Sequence, residues 1–131
     1  MINARIDSCL SSSFPDKSKA IGEAAVRAKA YVDSGADCIY PIGPGDEATV
    51  RMLRDRIRFP INILASPAAA SLSVLREIGI NRVSFGPFIF RSCLKKFVDI
   101  VEGLDSQEDY ACLREAMTSA EVNQYLVTAH E

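Results

Sequence analysis

The sequence predicts an α/β fold of parallel strand-and-helix units followed by further helices. Three observations lead there. Four short apolar runs are each followed by a stretch with apolar residues at helical spacing. The stretches "SGADCIY" and "IGINRVS" share one local plan, in which a helix-ending glycine leads through a small or apolar residue and a polar one into a strand. Finally, polar residues sit between large apolar ones inside the strands themselves.

The first strand is "INARID". Side chains alternate along a strand, so Asn3, Arg5 and Asp7 share one face, and Ile2, Ala4 and Ile6 the other. "CLSSSFPD" then reads as a serine-rich loop with Asp16 as helix N-cap. The helix "KSKAIGEAAVRAKAYVDSG" carries Ile21, Ala24, Ala25, Ala28 and Val32 on one side and stops at Gly35. "ADCIYPI" is the second strand. A helix restarts at Asp46 in "GPGDEATVRMLRDRI", with Val50, Leu53 and Ile57 on one side, and "PINILA" is the third strand. "SLSVLREIG" is a short helix ended by Gly79, and "NRVSF" is the fourth strand. "PFIFRSCLKKFVDIVEGL" is a helix with Phe90, Cys93, Leu94, Phe97 and Val101 on one face. The tail reads as one or two helices, with Ser106 and Asp109 resembling a capping box.

No linker divides the chain. It is expected to form a single domain, with four βα units over 1–104 and a helical extension over 105–131. At 131 residues, 48% hydrophobic and 24% charged, it has the profile of a soluble globular domain large enough to bury a core. No apolar stretch approaches the roughly 18 residues of a membrane span, and the start lacks the basic-then-apolar order of a signal peptide. The expected compartment is the cytoplasm. The net charge is -2, with basic residues scattered among acidic ones, so neither nucleic acid nor membrane is an expected partner.

Cys9, Cys38, Cys93 and Cys112 are far apart, form no C-x-x-C pair, and have only His130 as a nitrogen ligand. Neither a zinc site nor a disulfide framework is expected. Cys38 and Cys93 lie in apolar runs, where a thiol acts as a small hydrophobe, whereas Cys9 is expected exposed in its loop. His130, next to last, is expected to fray.

The strands carry the functional signal. Asn62 lies between Ile61 and Ile63, and Ser84 between Val83 and Phe85, so both point away from the helix-facing apolar set, as Asn3 and Arg5 do. A sheet covered on both faces would be apolar on both sides. A closed barrel instead carries polar residues inward near the C-terminal ends of its strands. The pattern therefore favours barrel strands, with Asn3, Arg5, Asn62 and Ser84 gathered on the inner face beside Tyr40 and Leu64. Taken singly, Asn62 and Ser84 are equally well read as hydrogen-bonded core residues.

"INARID", "RAKAYVDSGADCIYPIG", "INILASP" and "REIGINRVSFGPFIFRSCL" resemble, in order and spacing, the second half of the isocitrate lyase/phosphoenolpyruvate mutase superfamily, near its phosphonomutase-like and oxaloacetate-hydrolase-like branch. The resemblance covers about the first 100 residues. It implies about half of a TIM-type (β/α)8 barrel, and a magnesium-dependent lyase or mutase that breaks C–C or P–C bonds in 2-oxo or enol carboxylic acids. Asn3, Ala4, Arg5, Ile6 and Asp7 match the family's Asn-Ala-Arg-Thr-Asp strand, which implies that Arg5 is a substrate-binding cation, with isoleucine replacing threonine. Pro60, Ile61, Asn62 and Ile63 match its Pro-Leu-Asn-Val segment. Ser84, Gly86 and Pro87 match its last strand and helix entry.

The implied substrate-binding residues are thus Asn3, Arg5, Asn62 and Ser84, with no catalytic residue and no metal ligand named. The family takes its metal-binding aspartates from the first half of the barrel, and the glutamate of the lyase branches has no counterpart in "YPIGPGD" before Asp46. Magnesium is accordingly not expected to bind this chain alone, and the chain alone is expected to be inactive. Two functions follow. One is an enzyme half working as a homo-oligomer or with a complementary half-barrel chain. The other is a non-catalytic remnant acting as an association or oxyacid-binding module, and a weaker third is a phosphate site on the backbone amides near Gly86. The tail from Ser106 to Val127, with Leu113, Met117, Val122, Tyr125 and Leu126, is the segment assigned to exchange between chains.

Overall fold

The computed structural model describes residues 1–10, 14, 16–43, 45–106 and 110–127. Its elements, in chain order, are β1 (Asn3–Ile6), α1 (Lys17–Asp33), β2 (Cys38–Pro41), α2 (Glu47–Arg56), β3 (Asn62–Leu64), α3 (Leu72–Ile78), β4 (Arg82–Ser84), α4 (Phe88–Ser106), a 3-10 turn (Ala111–Leu113) and α5 (Ser119–Val127). The expected alternation of strand and helix is present. The chain divides into two compact units, Met1–Phe88 and Ile89–Glu131.

In the first unit β1 pairs with β2 and β3 with β4, both parallel. A parallel bridge between Ile39 and Ile61 joins the pairs, reinforced by the Ile39 N–H donating to the Pro60 carbonyl at 2.9 Å. The order is therefore β1, β2, β3, β4, with one helix between each consecutive pair of strands. One face of this sheet is apolar and covered by helices. Ile6, Ile39, Ile61 and Ile63 pack with Ile21, Ala24 and Ala28 of α1, Val50 and Leu53 of α2, and Leu75 of α3, and all are buried. Ala4 and Val83 complete that face, so strand alternation holds across all four strands.

The helix ends are set by local chemistry. Asp16 accepts from the Ser18 and Lys19 N–H groups, Asp46 from Thr49 N–H, and Ser71 from Val74 N–H. Gly79 closes α3 in the left-handed conformation at φ +85°, which a side chain would resist. The Thr49 hydroxyl also donates to Asp46 at 2.5 Å and, more than any other contact, holds that carboxyl below its usual pKa. A lowered pKa means that the stabilisation is complete above the ordinary carboxylate value and fades as pH falls through the lowered one. Replacing Asp46 with alanine is expected to cost about 1 kcal/mol at pH 7. The difference should shrink below about pH 4, and Asp46→Asn, which keeps a capping oxygen, should retain most of the stability in thermal melts.

The second unit is helical. Within it Lys96 pairs with Glu115 at 3.5 Å, and the side chain of Cys112 lies against Gly103. The expected Ser106–Asp109 capping box falls in part outside the described residues. Ser106 is the last residue of α4, its hydroxyl donating to the Glu102 carbonyl at 2.8 Å, and Asp109 lies outside the described residues. The box that forms is Thr118–Glu121, where Glu121 accepts from Thr118 N–H at 2.7 Å and Thr118 Oγ1 accepts from Glu121 N–H at 3.3 Å. Among the described residues no helix is long and apolar enough to cross a membrane.

Candidate functional site

The face of the sheet opposite the helix-packed core carries the polar residues. Arg5 is in register with Tyr40, the Ile39–Ile61 bridge sets Tyr40 level with Asn62, and Asn62 is in register with Arg82. Arg5, Tyr40, Asn62 and Arg82 thus form one lateral row across four strands. Asn3 lies beside Cys38 one step toward the strand starts, and Ser84 beside Leu64 one step toward the strand ends. The structure therefore brings Asn3, Arg5, Asn62 and Ser84 to one face, opposite the apolar core.

Asn62 is 0% exposed, and its Nδ2 donates to Ser84 Oγ at 3.1 Å. Its Oδ1, like the Oδ1 of Asn3, is buried without a hydrogen-bond partner. A buried polar atom left unpaired costs about 1–3 kcal/mol, and both of these acceptors lie on one face of the sheet. Arg5 Nε donates to Asp7 Oδ1 at 2.6 Å with both side chains half exposed, and that bond holds the guanidinium all the more firmly protonated. Burial pushes the Cys38 thiol up, while the nearby Arg82 charge draws it partly back.

Several residues depart from expectation. Cys9 is buried, not exposed, because the turn closed by Leu10 N–H on the Asp7 carbonyl folds the loop under α1, where Ser8 Oγ donates to the Ala20 carbonyl at 3.0 Å. Desolvation raises the Cys9 pKa, the reverse of what a nucleophile needs. Cys38 is buried as expected, but Cys93 on α4 is exposed, as are Phe90, Leu94 and Phe97 of the same apolar face, none of which α4 buries. His130 is outside the described residues.

Among the described residues no group of three or more His, Cys, Asp or Glu side chains could hold a metal ion. The carboxylate that the NARID strand adds at its end, Asp7, is bound to Arg5. The described residues thus do not fit a magnesium site. Alternation in "NRVSF" puts Arg82 on the face of Ser84, and the register sets it level with Asn62.

Residues 1–105 match the family described as phosphoenolpyruvate phosphomutase. The chain belongs to that family. It is similar to solved members of the phosphoenolpyruvate mutase/isocitrate lyase superfamily, and this bears out the resemblance read from its strands. A chain from Burkholderia cenocepacia J2315 assigned as a lyase/mutase superposes with a TM-score of 0.79 at 23% identity, over 95% of this chain and 44% of the other. A chain from the same organism assigned as a phosphonomutase gives 0.68 at 28% identity, over 78% and 41%. An oxaloacetate acetylhydrolase, solved with its product oxalate, gives 0.71 at 13% identity, over 92% and 41%. The chain therefore spans less than half the length of these solved relatives. No curated protein matches it.

Proposed function

We propose that the four βα units form half of a TIM-type barrel whose inner face binds a small 2-oxo, enol or phosphonate acid, as one wall of a lyase or mutase site. The observation that carries this is the face itself. Arg5, Asn62 and Ser84 lie together on the side of a parallel sheet opposite its helix-packed core, and Asn3 and Asn62 hold unpaired acceptors there. Membership of the phosphomutase family supports an acid of this class, and the oxalate bound to the acetylhydrolase suggests a probe.

Lyase or mutase chemistry on such acids needs a group that stabilises the developing enolate or transferring phosphoryl charge. In the family that group includes magnesium, which the described residues do not fit. The chain's own residues can fix the acid: Arg5 pairs with an oxyanion, and Ser84 steadies the Asn62 amide. The chain alone is thus proposed to bind without turnover. It would work with a second copy of itself or a complementary half-barrel chain. Exposed Ile89, Phe90, Leu94 and Phe97 on α4 and exposed Val122 and Leu126 on α5 support such association, as do the outer edges of β1 and β4. A purely associative role without any ligand is the second reading, favoured by the missing metal cluster among the described residues.

Calorimetric titration with oxalate and phosphonopyruvate separates these readings. Weak binding is expected, reduced by about tenfold in Arg5→Ala. No heat with either acid overturns the binding reading. Turnover of phosphonopyruvate or oxaloacetate by the purified chain with magnesium, lost in Arg5→Ala, overturns its inactivity alone.

A further inference from the structure

On the helix-packed side of the sheet, a cavity of about 340 Å3 opens between α1 and the end of α2. Its floor is apolar. Ala28 and Ile57 belong to the buried core, and Ala25, Val32 and Phe59 pack against that core partly buried. Its rim is cationic, formed by the exposed Lys29, Arg56 and Arg58, and among the described residues no carboxylate lines it.

The three charges are not equally committed. Lys29 pairs with Asp33 at 2.6 Å, and Arg56 Nη1 donates to the Ser18 carbonyl at 3.4 Å. Among the described residues no hydrogen bond or ion pair engages Arg58. The polarity of α2 does not account for it. Arg54 and Arg56 already stand in the last turn, where basic residues complement the free carbonyls, and Arg58 lies beyond the helix end. Its charge acts against its neighbours: burial first, and then the charge of Arg58, pull Arg54 below its ordinary value. An anion beside Arg58 would offset that repulsion. The volume is near the lower end of the roughly 300–1,000 Å3 typical of small-molecule sites, which sets the size of what fits.

We propose that this cavity binds a small amphipathic acid, an aliphatic chain ending in one carboxylate. The chain lies on the floor between Ala25 and Phe59, and the carboxylate meets the Arg58 guanidinium, whose planar fork matches its two oxygens. Arg56 and Lys29 add to the field without being released from their present partners. The site does not depend on the oxyacid reading above.

Hexanoate, hexanamide and acetate separate the two halves of this ligand. Hexanamide keeps the chain and loses the charge, and acetate keeps the charge and loses most of the chain. Each is titrated into the full chain and its Arg58→Gln and Ala25→Leu variants, followed by the methyl resonances of Ala28, with circular dichroism to verify folding. Hexanoate should shift the Ala28 methyl and bind more tightly than either control, since each buried methylene is worth about fourfold. Arg58→Gln should weaken hexanoate by about fivefold and hexanamide by less than about twofold. Ala25→Leu, which fills the floor, should weaken both. An unmoved Ala28 methyl, acetate binding as tightly as hexanoate, or equal losses of hexanoate and hexanamide in Arg58→Gln overturns the proposal. So does a shift of the same methyl on raising the protein concentration alone, which would put a second copy of the chain over the cavity.

Discussion

Ile39→Ala is expected to cost about 2–5 kcal/mol, the range for truncating a fully buried aliphatic side chain. Ile39 is 0% exposed and sits at the joint of the sheet, where it bridges to Ile61 and stands in register with Ala4. Truncation leaves a cavity between the strands and α1 and α2, whose Ile21, Val50 and Leu53 pack in the same cluster. For the unit Met1–Phe88, a stability of roughly 0.05–0.15 kcal/mol per residue sums to about 4–13 kcal/mol. The loss is then a large share of the whole, enough to leave the variant partly unfolded at 25 °C at the lower end. Ile39→Val, which removes one methyl group, should cost about 0.5–1.5 kcal/mol. Urea titration followed by circular dichroism measures both, and equal midpoints for Ile39→Ala and the unmodified chain would show that the Ile39 side chain does not organise the core.

Gly43→Ala is expected to destabilise by about 1–3 kcal/mol or more through overpacking. A Cβ at Gly43 would lie 2.5 Å from the Cys9 carbonyl oxygen and 2.8 Å from Cys9 Cβ, both closer than real contacts allow. The obstacle is backbone, so relief requires the segments after β1 and β2 to part. Those segments follow Arg5 and Tyr40, and oxyacid binding should weaken with stability. Gly35→Ala is the contrast. Gly35 is in the left-handed region at φ +94° with nothing near its would-be Cβ, so only the backbone penalty of about 1–2 kcal/mol applies. A Gly43→Ala melt no lower than that of Gly35→Ala would refute the close approach.

Part of this molecule was legible in the sequence because its causes are local. Alternation along a strand assigns faces without knowledge of the neighbours, and the buried set Ile6, Ile39, Ile61 and Ile63 follows it. The caps at Asp16, Asp46 and Ser71 and the stops at Gly35 and Gly79 depend on residues within one turn. What the tertiary structure alone decided involves residues far apart in the chain. Register brings Arg82 level with Asn62, and through the Ile39–Ile61 bridge level with Tyr40 and Arg5; a slip of one residue would have turned those side chains to the core. Cys9 is buried because α1 returns over its loop, and a loop composition rich in serine carries no mark of that. The Asn62–Ser84 bond and the unpaired Oδ1 atoms of Asn3 and Asn62 arise between strands, where packing decides which hydrogen bonds are made and which are left open.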